Sequence, residues 1–185
     1  RLSVHLIIAF IIITLILWNF LKLYKNIGTK KNIKFSIFFI FLISIFCQII
    51  IGAFVSGMDA GQIYNSWPLM GSTYFPDDNS FLNIFKLSAF SDPSLVQFMH
   101  RNLAYLILIF YLIIFYKVYK ERLIYLYTVT NIVGAILFIQ IFLGVMTLIY
   151  GAQIVLASMH QISSIFLVSF SVYLLFLKTN QLPSS

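Results

Sequence analysis

Five stretches of this chain are almost continuously apolar: residues 4–21, 35–57, 97–116, 124–149 and 155–177. A bilayer-spanning helix needs about 20 such residues, and each stretch reaches or approaches that length. A membrane β-strand would instead alternate apolar and polar positions over about ten residues, which none of these runs does. An all-α fold is predicted, a polytopic transmembrane bundle of five helices.

The interruptions set the orientation. Lys22, Lys25, Lys30, Lys31 and Lys34 separate the first two helices, Lys117, Lys120 and Arg122 separate the third and fourth, and Lys178 follows the fifth. Arg1, Lys86 and Arg101 fall at the opposite helix ends, with Asp59, Asp77, Asp78 and Asp92. Nine basic residues against three predict an N-terminus outside and a C-terminus on the cytoplasmic or matrix side of a multi-pass inner-membrane protein. Residues 22–34 are then a loop on the basic side and residues 179–185 a short tail. The outer segment 58–96 is too long for a simple connector. Gly61, Trp67, Pro68, Gly71, Pro76 and Pro93 are turn and breaker signals, and Tyr64, Trp67 and Tyr74 suit the headgroup level. This segment reads as an ordered cap with a short interfacial helix near residues 81–87.

Composition closes off the soluble classes. Of 185 residues, 61% are hydrophobic and 9% charged, against roughly 45–50% and about 25% for soluble domains. Disorder fails on the same numbers. The net charge of +7 does not imply nucleic acid, because the basic residues flank apolar helices and form no phosphate-binding face. Cys47 is the single cysteine, with no CxxC, so an intrachain disulfide, an iron–sulfur cluster and covalent c-type haem are all argued against. It reads as a small buried hydrophobe. The chain opens on Arg1 within three residues of a helix, without a leader-like segment, and reads as a portion of something longer.

One echo runs through the chain. Gln48-Ile-Ile-Ile-Gly52 in the second helix matches Gln140-Ile-Phe-Leu-Gly144 in the fourth, 92 positions on. Each is followed by a loop and a helix with a histidine near its start. A Gln and a Gly four residues apart share a helix face. There the glycine permits close backbone approach, and the glutamine can bond across helices. Repeated helix pairs are indicated.

The three histidines, His5, His100 and His160, all fall in the first few residues of helices that start on the outer side. At 1.5 Å rise per residue each sits roughly 5–10 Å below its helix end, so all three share one layer. Any one of them could simply bond a neighbouring carbonyl at the interface. Three at one depth point to a ligand, since ionisable groups in a bilayer face a partner or a cavity. Zinc lacks its usual cysteine or carboxylate ligands here, and a di-iron carboxylate site lacks its glutamates. Two neutral imidazoles from facing helices suit the axial positions of a haem, with His100 and His160 as the pair. Arg101 would either meet a haem propionate or serve as an interfacial anchor. Asp59, Tyr64, Asn65 and Trp67 would either shape the haem edge, relay protons or meet a partner, or hold the loop together. A b-type electron-transfer subunit without chemistry shares the histidine layer but leaves the outer-loop residues unexplained. A small carrier subunit would need a polar midplane path, for which Gln48, Thr130, Asn131 and Gln140 are too few.

The run Gly52-Ala-Phe-Val-Ser-Gly57-Met-Asp59-Ala-Gly61-Gln-Ile-Tyr64-Asn65-Ser-Trp67-Pro68-Leu-Met70 resembles the outer-loop signature of haem A synthases of the mitochondrial and alpha-proteobacterial type. Val96-Gln97-Phe98-Met99-His100-Arg101, Gln140-x-x-x-Gly144-x-x-Thr147 and Ala157-Ser-Met-His160-Gln161 follow in that family's order and spacing. The resemblance implies an oxidoreductase of eight helices in two pseudo-repeated halves. Residues 1–21 would be the last helix of the substrate-haem half, and residues 35–178 the half that holds haem b. It implies His100 and His160 as ligands of the haem b iron, and His5 as a ligand of the substrate, haem O, whose C8 methyl is oxidised to the formyl of haem A for terminal oxidases. The first three helices have no counterpart here, nor do the second substrate-side histidine and the carboxylate assigned to catalysis, so catalytic residues are expected in the half not represented. The cysteine pair of the family's other branch is also absent. Haem O synthase, oxidase assembly factors and a second copy of the chain are the partners such a membrane enzyme would meet.

Overall fold

A computed structural model describes residues 2–24 and 36–180. Arg1, Lys25, Lys30, Lys31 and Lys34, and all but the start of the tail, lie outside the described residues. Five α-helices make the bundle: α1 (Leu2–Tyr24), α2 (Ile37–Gly57), α3 (Pro93–Lys120), α4 (Ile124–Ile149) and α5 (Ile154–Thr179). All five are long and apolar enough to cross a membrane.

The helix ends follow local chemistry. The start of α3 lies four residues before the expected one, because Pro93 occupies its first turn and the Asp92 side chain accepts a hydrogen bond from the Leu95 amide at 3.0 Å. The same helix runs on to Lys120, and Lys117 and Lys120 in its last turn complement the helix dipole. A purely apolar criterion stops short at both ends. Between α4 and α5 the chain turns through residues 150–153, with Gly151 and Ala152 at φ 66° and 56°.

α4 packs against α5 and α2 against α3, while α1 lies along α2 and α5. The core is built from Phe38, Phe41 and Ile45 of α2, Ile107 and Ile114 of α3, Val129 and Val133 of α4, and Val168 and Val172 of α5. Trp18 of α1 meets Phe176 of α5 edge-on at 5.2 Å between ring centres. Most of the remaining α1 surface, including Ile8, Ile12, Ile16 and Leu23, is exposed. Cys47 is exposed as well, contrary to the buried place expected for it. A helix that is apolar all round does not announce which face turns inward, so a position inside an apolar run says nothing of burial.

Residues 58–92 cap one end of the bundle. Where one interfacial helix was expected near residues 81–87, two short 3₁₀ turns stand, Phe81–Phe85 and Leu87–Ser91. Lys86 lies between them in extended conformation, at φ −92° and ψ 146°, and its geometry interrupts any continuous helix. Phe81, Leu82, Phe85 and Leu87 are exposed along this segment.

Candidate functional site

His100 is the eighth residue of α3 and His160 the seventh of α5, so both rings lie about 10 Å along their helices from the capped end. Each ring rests on the helix preceding its own. Gln48 of α2 places its amide nitrogen 3.0 Å from the His100 carbonyl oxygen and 3.2 Å from His100 Nε2. Gln140 of α4 does the same to His160, at 3.1 Å from the carbonyl and 3.3 Å from Nε2. One turn further on, a Cβ on Gly52 would stand 3.0 Å from His100 Cε1, and a Cβ on Gly144 would stand 3.0 Å from His160 Cε1. Any larger residue would press on the ring by a few tenths of an ångström.

The hydrogen bonds define the proton on each ring. A backbone carbonyl can only accept, so the NH₂ edge of each glutamine must face it. That NH₂ group also faces Nε2, which therefore accepts, and the ring proton lies on Nδ1. In both histidines Nδ1 is buried without a hydrogen-bond partner. Every neutral imidazole keeps one lone pair, and here both rings keep it on Nε2.

The cradles differ at one place. The Ser163 hydroxyl, one turn after His160, donates to Gln140 Oε1 and stands 3.0 Å from the His160 carbonyl. The corresponding position after His100 is Leu103, and Gln48 Oε1 is buried without a partner.

Arg101 is turned to the cap. Its guanidinium donates to the carbonyls of Tyr64 at 2.9 Å, Ser66 at 2.8 Å and Leu69 at 3.2 Å, and its Nε is buried without a partner. Gln97, one turn earlier, donates to the same Tyr64 carbonyl at 3.1 Å. The loop they hold includes the cis Trp67–Pro68 peptide. Trp67 donates from its indole to the Tyr105 hydroxyl at 3.0 Å, and Tyr64 to Asp77 at 2.6 Å. Asn65 donates to the Leu148 carbonyl at 2.9 Å, tying the cap to the end of α4. Asp59 adopts the left-handed conformation, φ 51°, at the turn out of α2. The hydrogen bond to Asp77, then burial, then the charges of Asp78 and Asp77 push the Tyr64 hydroxyl up to about 12. Burial pushes the Asp78 carboxyl upward, but hydrogen bonds, first from Ser94 and then from Asn79, outweigh it and hold the group below its ordinary value.

His5 is exposed on α1. Among the described residues no three of His, Cys, Asp or Glu come together as a metal cluster, so the three histidines of one layer do not form one centre. What sequence reasoning missed is the partner of each glutamine. The repeated Gln-x-x-x-Gly was the signal, since one helix face carries both the donor and the gap.

The family described as "Cytochrome oxidase assembly protein" (COX15-CtaA) matches residues 1–172. Proteins named "Heme A synthase" from Pelagibacter ubique (strain HTCC1062), Rickettsia bellii (strain OSU 85-389) and Wolbachia pipientis wMel are 42%, 39% and 38% identical to it. Those alignments cover 97%, 94% and 95% of this chain, and 53%, 53% and 49% of the relatives. The chain thus spans about half the length of the curated relatives it matches. No solved structure gives a significant match.

Proposed function

The chain belongs to the COX15-CtaA family of cytochrome oxidase assembly proteins, and on that premise we propose that it is the haem b-holding portion of a haem A synthase, an oxidoreductase that converts the C8 methyl of haem O to the formyl of haem A. The observation that carries this reading is the pair of matching cradles around His100 and His160. Both rings keep their lone pair on Nε2, which the glutamine amide would yield to a metal on ligation. Each also has a buried Nδ1 without a partner. No third His, Cys, Asp or Glu joins them among the described residues, so a bare metal ion would lack ligands, whereas a porphyrin brings four of its own. The residues present fit a bis-histidine haem, held by His100 and His160.

When bound, haem b supplies one-electron transfer. The chain's own residues do the rest. The apolar helices surround the rings, each glutamine holds the carbonyl of its histidine, and Arg101 fixes the cap over the His100 side. Arg101 Nε, buried and without a partner, is the atom left to it for a propionate. Asp59, Tyr64, Asn65 and Trp67 shape the cap beside the haem edge. His5 belongs to the site of substrate haem O, which the remainder of the enzyme completes. The basic helix ends face the cytoplasm or matrix and the cap faces outward, where haem O synthase and oxidase assembly factors would be met.

A reduced-minus-oxidised optical spectrum with pyridine haemochrome analysis tests the reading. One low-spin b-type haem per chain is expected, lost in both His100→Ala and His160→Ala and kept in His5→Ala. A full haem b spectrum in His160→Ala would sink the ligand assignment.

A further inference from the structure

We propose that residues 81–90 form a membrane-surface foot: Phe81, Leu82, Phe85 and Leu87 enter the headgroup layer of the leaflet on the capped side, and Lys86 meets the lipid phosphates there. This surface is independent of the haem reading.

The composition of the foot sets it apart from the rest of the cap. Residues 79–91 hold no aspartate or glutamate, and six of residues 81–90 are Phe, Leu or Ile. In the fold these side chains have little protein to pack on: Leu82 is 71% exposed, Phe85 77% and Leu87 89%. Contiguous apolar patches of this kind mark an interaction surface. Ala89, at 1% exposure, is the residue turned inward, so the segment keeps one face on the protein and one face away from it.

Aromatic contacts fix its height on the bundle. Phe90 meets Phe54 of α2 at 6.2 Å between ring centres, and Phe75 bridges Phe81 and Phe98 of α3 at 5.7 and 5.0 Å. Phe54 lies three residues before the end of α2 and Phe98 five residues after the start of α3, about 5 and 8 Å inside the helix ends. Both helices are long and apolar enough to cross a membrane. The 28 residues of α3 reach about 42 Å, enough to pass through both headgroup layers. The foot therefore stands beside helix turns that lie at headgroup level.

The backbone limits how deep it goes. Two 3₁₀ turns separated by an extended Lys86 leave polar backbone groups that need water or headgroups, and lipid-exposed backbone of this kind does not enter the hydrocarbon. Phe and Leu side chains can still reach the boundary between headgroups and acyl chains.

Charge agrees with lipid as the occupant. Lys86 is the only basic residue between positions 58 and 92, and its ammonium donates to the neutral Asn83 side chain at 2.9 Å. The flanking carboxylates are engaged elsewhere: Asp78 accepts from Ser94 at 2.6 Å, and Asp92 from Asn79 and the Leu95 amide. A cation among apolar side chains, with no acid beside it, matches a phosphate layer lying over an apolar one. A second copy seated on the same face would bring two Lys86 ammoniums together without an acid to pair them. The foot runs directly into Asp92, the cap of α3, so the bilayer surface holds the start of the helix that carries His100.

The test uses the full chain in phosphatidylcholine vesicles, with and without phosphatidylglycerol. Cys47→Ser removes the native thiol. A nitroxide is then placed by Phe85→Cys, by Leu87→Cys or, as the lipid reference, by Ile109→Cys on the exposed face of α3. Collisions with oxygen, which concentrates in lipid, are compared with collisions with a water-soluble nickel chelate. At both foot positions the oxygen-to-nickel ratio should fall between that of Ile109→Cys and that of the free label in water. A ratio matching either reference would overturn the foot, because the segment would then stand in water or lie in hydrocarbon. Suppression of both collisions at both positions would also overturn it, since protein, whether a second copy or another chain, would then cover the face. Phosphatidylglycerol should shift the Leu87→Cys ratio towards the lipid reference, and Lys86→Gln should abolish that shift. No shift, or one that survives Lys86→Gln, would overturn the contact of the lysine with the phosphates.

Discussion

The helix pairs α2–α3 and α4–α5 carry the same device under different covers. In each, a glutamine and a glycine on the first helix bracket a histidine on the second. The first pair is joined through the long cap of residues 58–92, and the second through the tight turn of residues 150–153. The cap is tied to the His100 helix by Arg101 and Gln97 and to the end of α4 by Asn65. The His160 side instead has Ser163 inside the bundle. One ligand is steadied from above and the other from within. On the proposed bis-histidine reading, the duplicated part presents a ring to an iron, while the divergent part lies around it.

The most severe way to break the equivalence is to fill one gap and leave the other. Gly52→Ala or Gly144→Ala gains about 1 kcal/mol of helix propensity, while crowding the ring costs about 1–3 kcal/mol. Thermal stability should therefore move little, while the ring has to give by a few tenths of an ångström. The expected outcome is a loss of most low-spin haem in either single variant with a nearly unchanged Tm, checked by haem stoichiometry and thermal unfolding in parallel. A variant that keeps full haem would show that the close approach is incidental.

Much of this arrangement was legible in the residues. The five helices follow from apolar runs alone, and α4 begins and ends where those runs do. The register of both histidines follows from their distance to a helix start. Three features were not legible, for one reason: an apolar membrane helix carries little information about which way each residue faces. Cys47 was expected inside and is exposed. The glutamines were visible as a repeat, but their acceptors lie on other helices, 52 and 20 residues away. Ser163 was invisible, because a serine in an apolar helix usually bonds its own preceding turn, as Ser44 does with the Ile40 carbonyl at 2.8 Å. Arg101 drew attention through its charge, yet its acceptors are neutral carbonyls of the cap, which no charge-based reading points to.

Arg101→Ala separates the two pairs less drastically. Charge-assisted hydrogen bonds contribute about 1.5–3 kcal/mol, so losing the bonds to Tyr64, Ser66 and Leu69 should loosen the cap by roughly 2 kcal/mol. Proteolytic nicking within residues 58–92 should then accelerate roughly thirtyfold, if cleavage follows the open population. Low-spin haem should be kept, because the bonds of Arg101 run to the cap and hold neither histidine ring. Asn65→Ala is the complementary cut. It removes the bond from the cap to the Leu148 carbonyl, worth about 1 kcal/mol, and should raise the same nicking rate roughly fivefold. Nicking that rises equally in both variants would mean that the cap is held by its own folding rather than by the helices beneath it.

The smallest effect isolates the cap from both cradles. The Tyr64 hydroxyl is pushed up to about 12 from an ordinary 10.0, first by its hydrogen bond to Asp77 and then by burial and the charges of Asp78 and Asp77. A tyrosine raised in the folded state favours folding while it stays protonated. Its contribution is present in full below about pH 10 and is lost as the pH rises towards 12, because the unfolded chain ionises first. Tyrosinate absorbance should therefore show one group titrating near 12 in the wild type. Asp77→Asn removes one neighbouring charge and the strongest acceptor, so that titration should move back towards 10.0. The residue lies in the cap, away from Gln48 and Gln140, so haem g-values should be the same in this variant as in the wild type. A shift in those g-values would mean that the cap transmits orientation to His100 through the Tyr64 carbonyl that Arg101 and Gln97 share. The first cradle would then be steadied from above by more than the guanidinium alone.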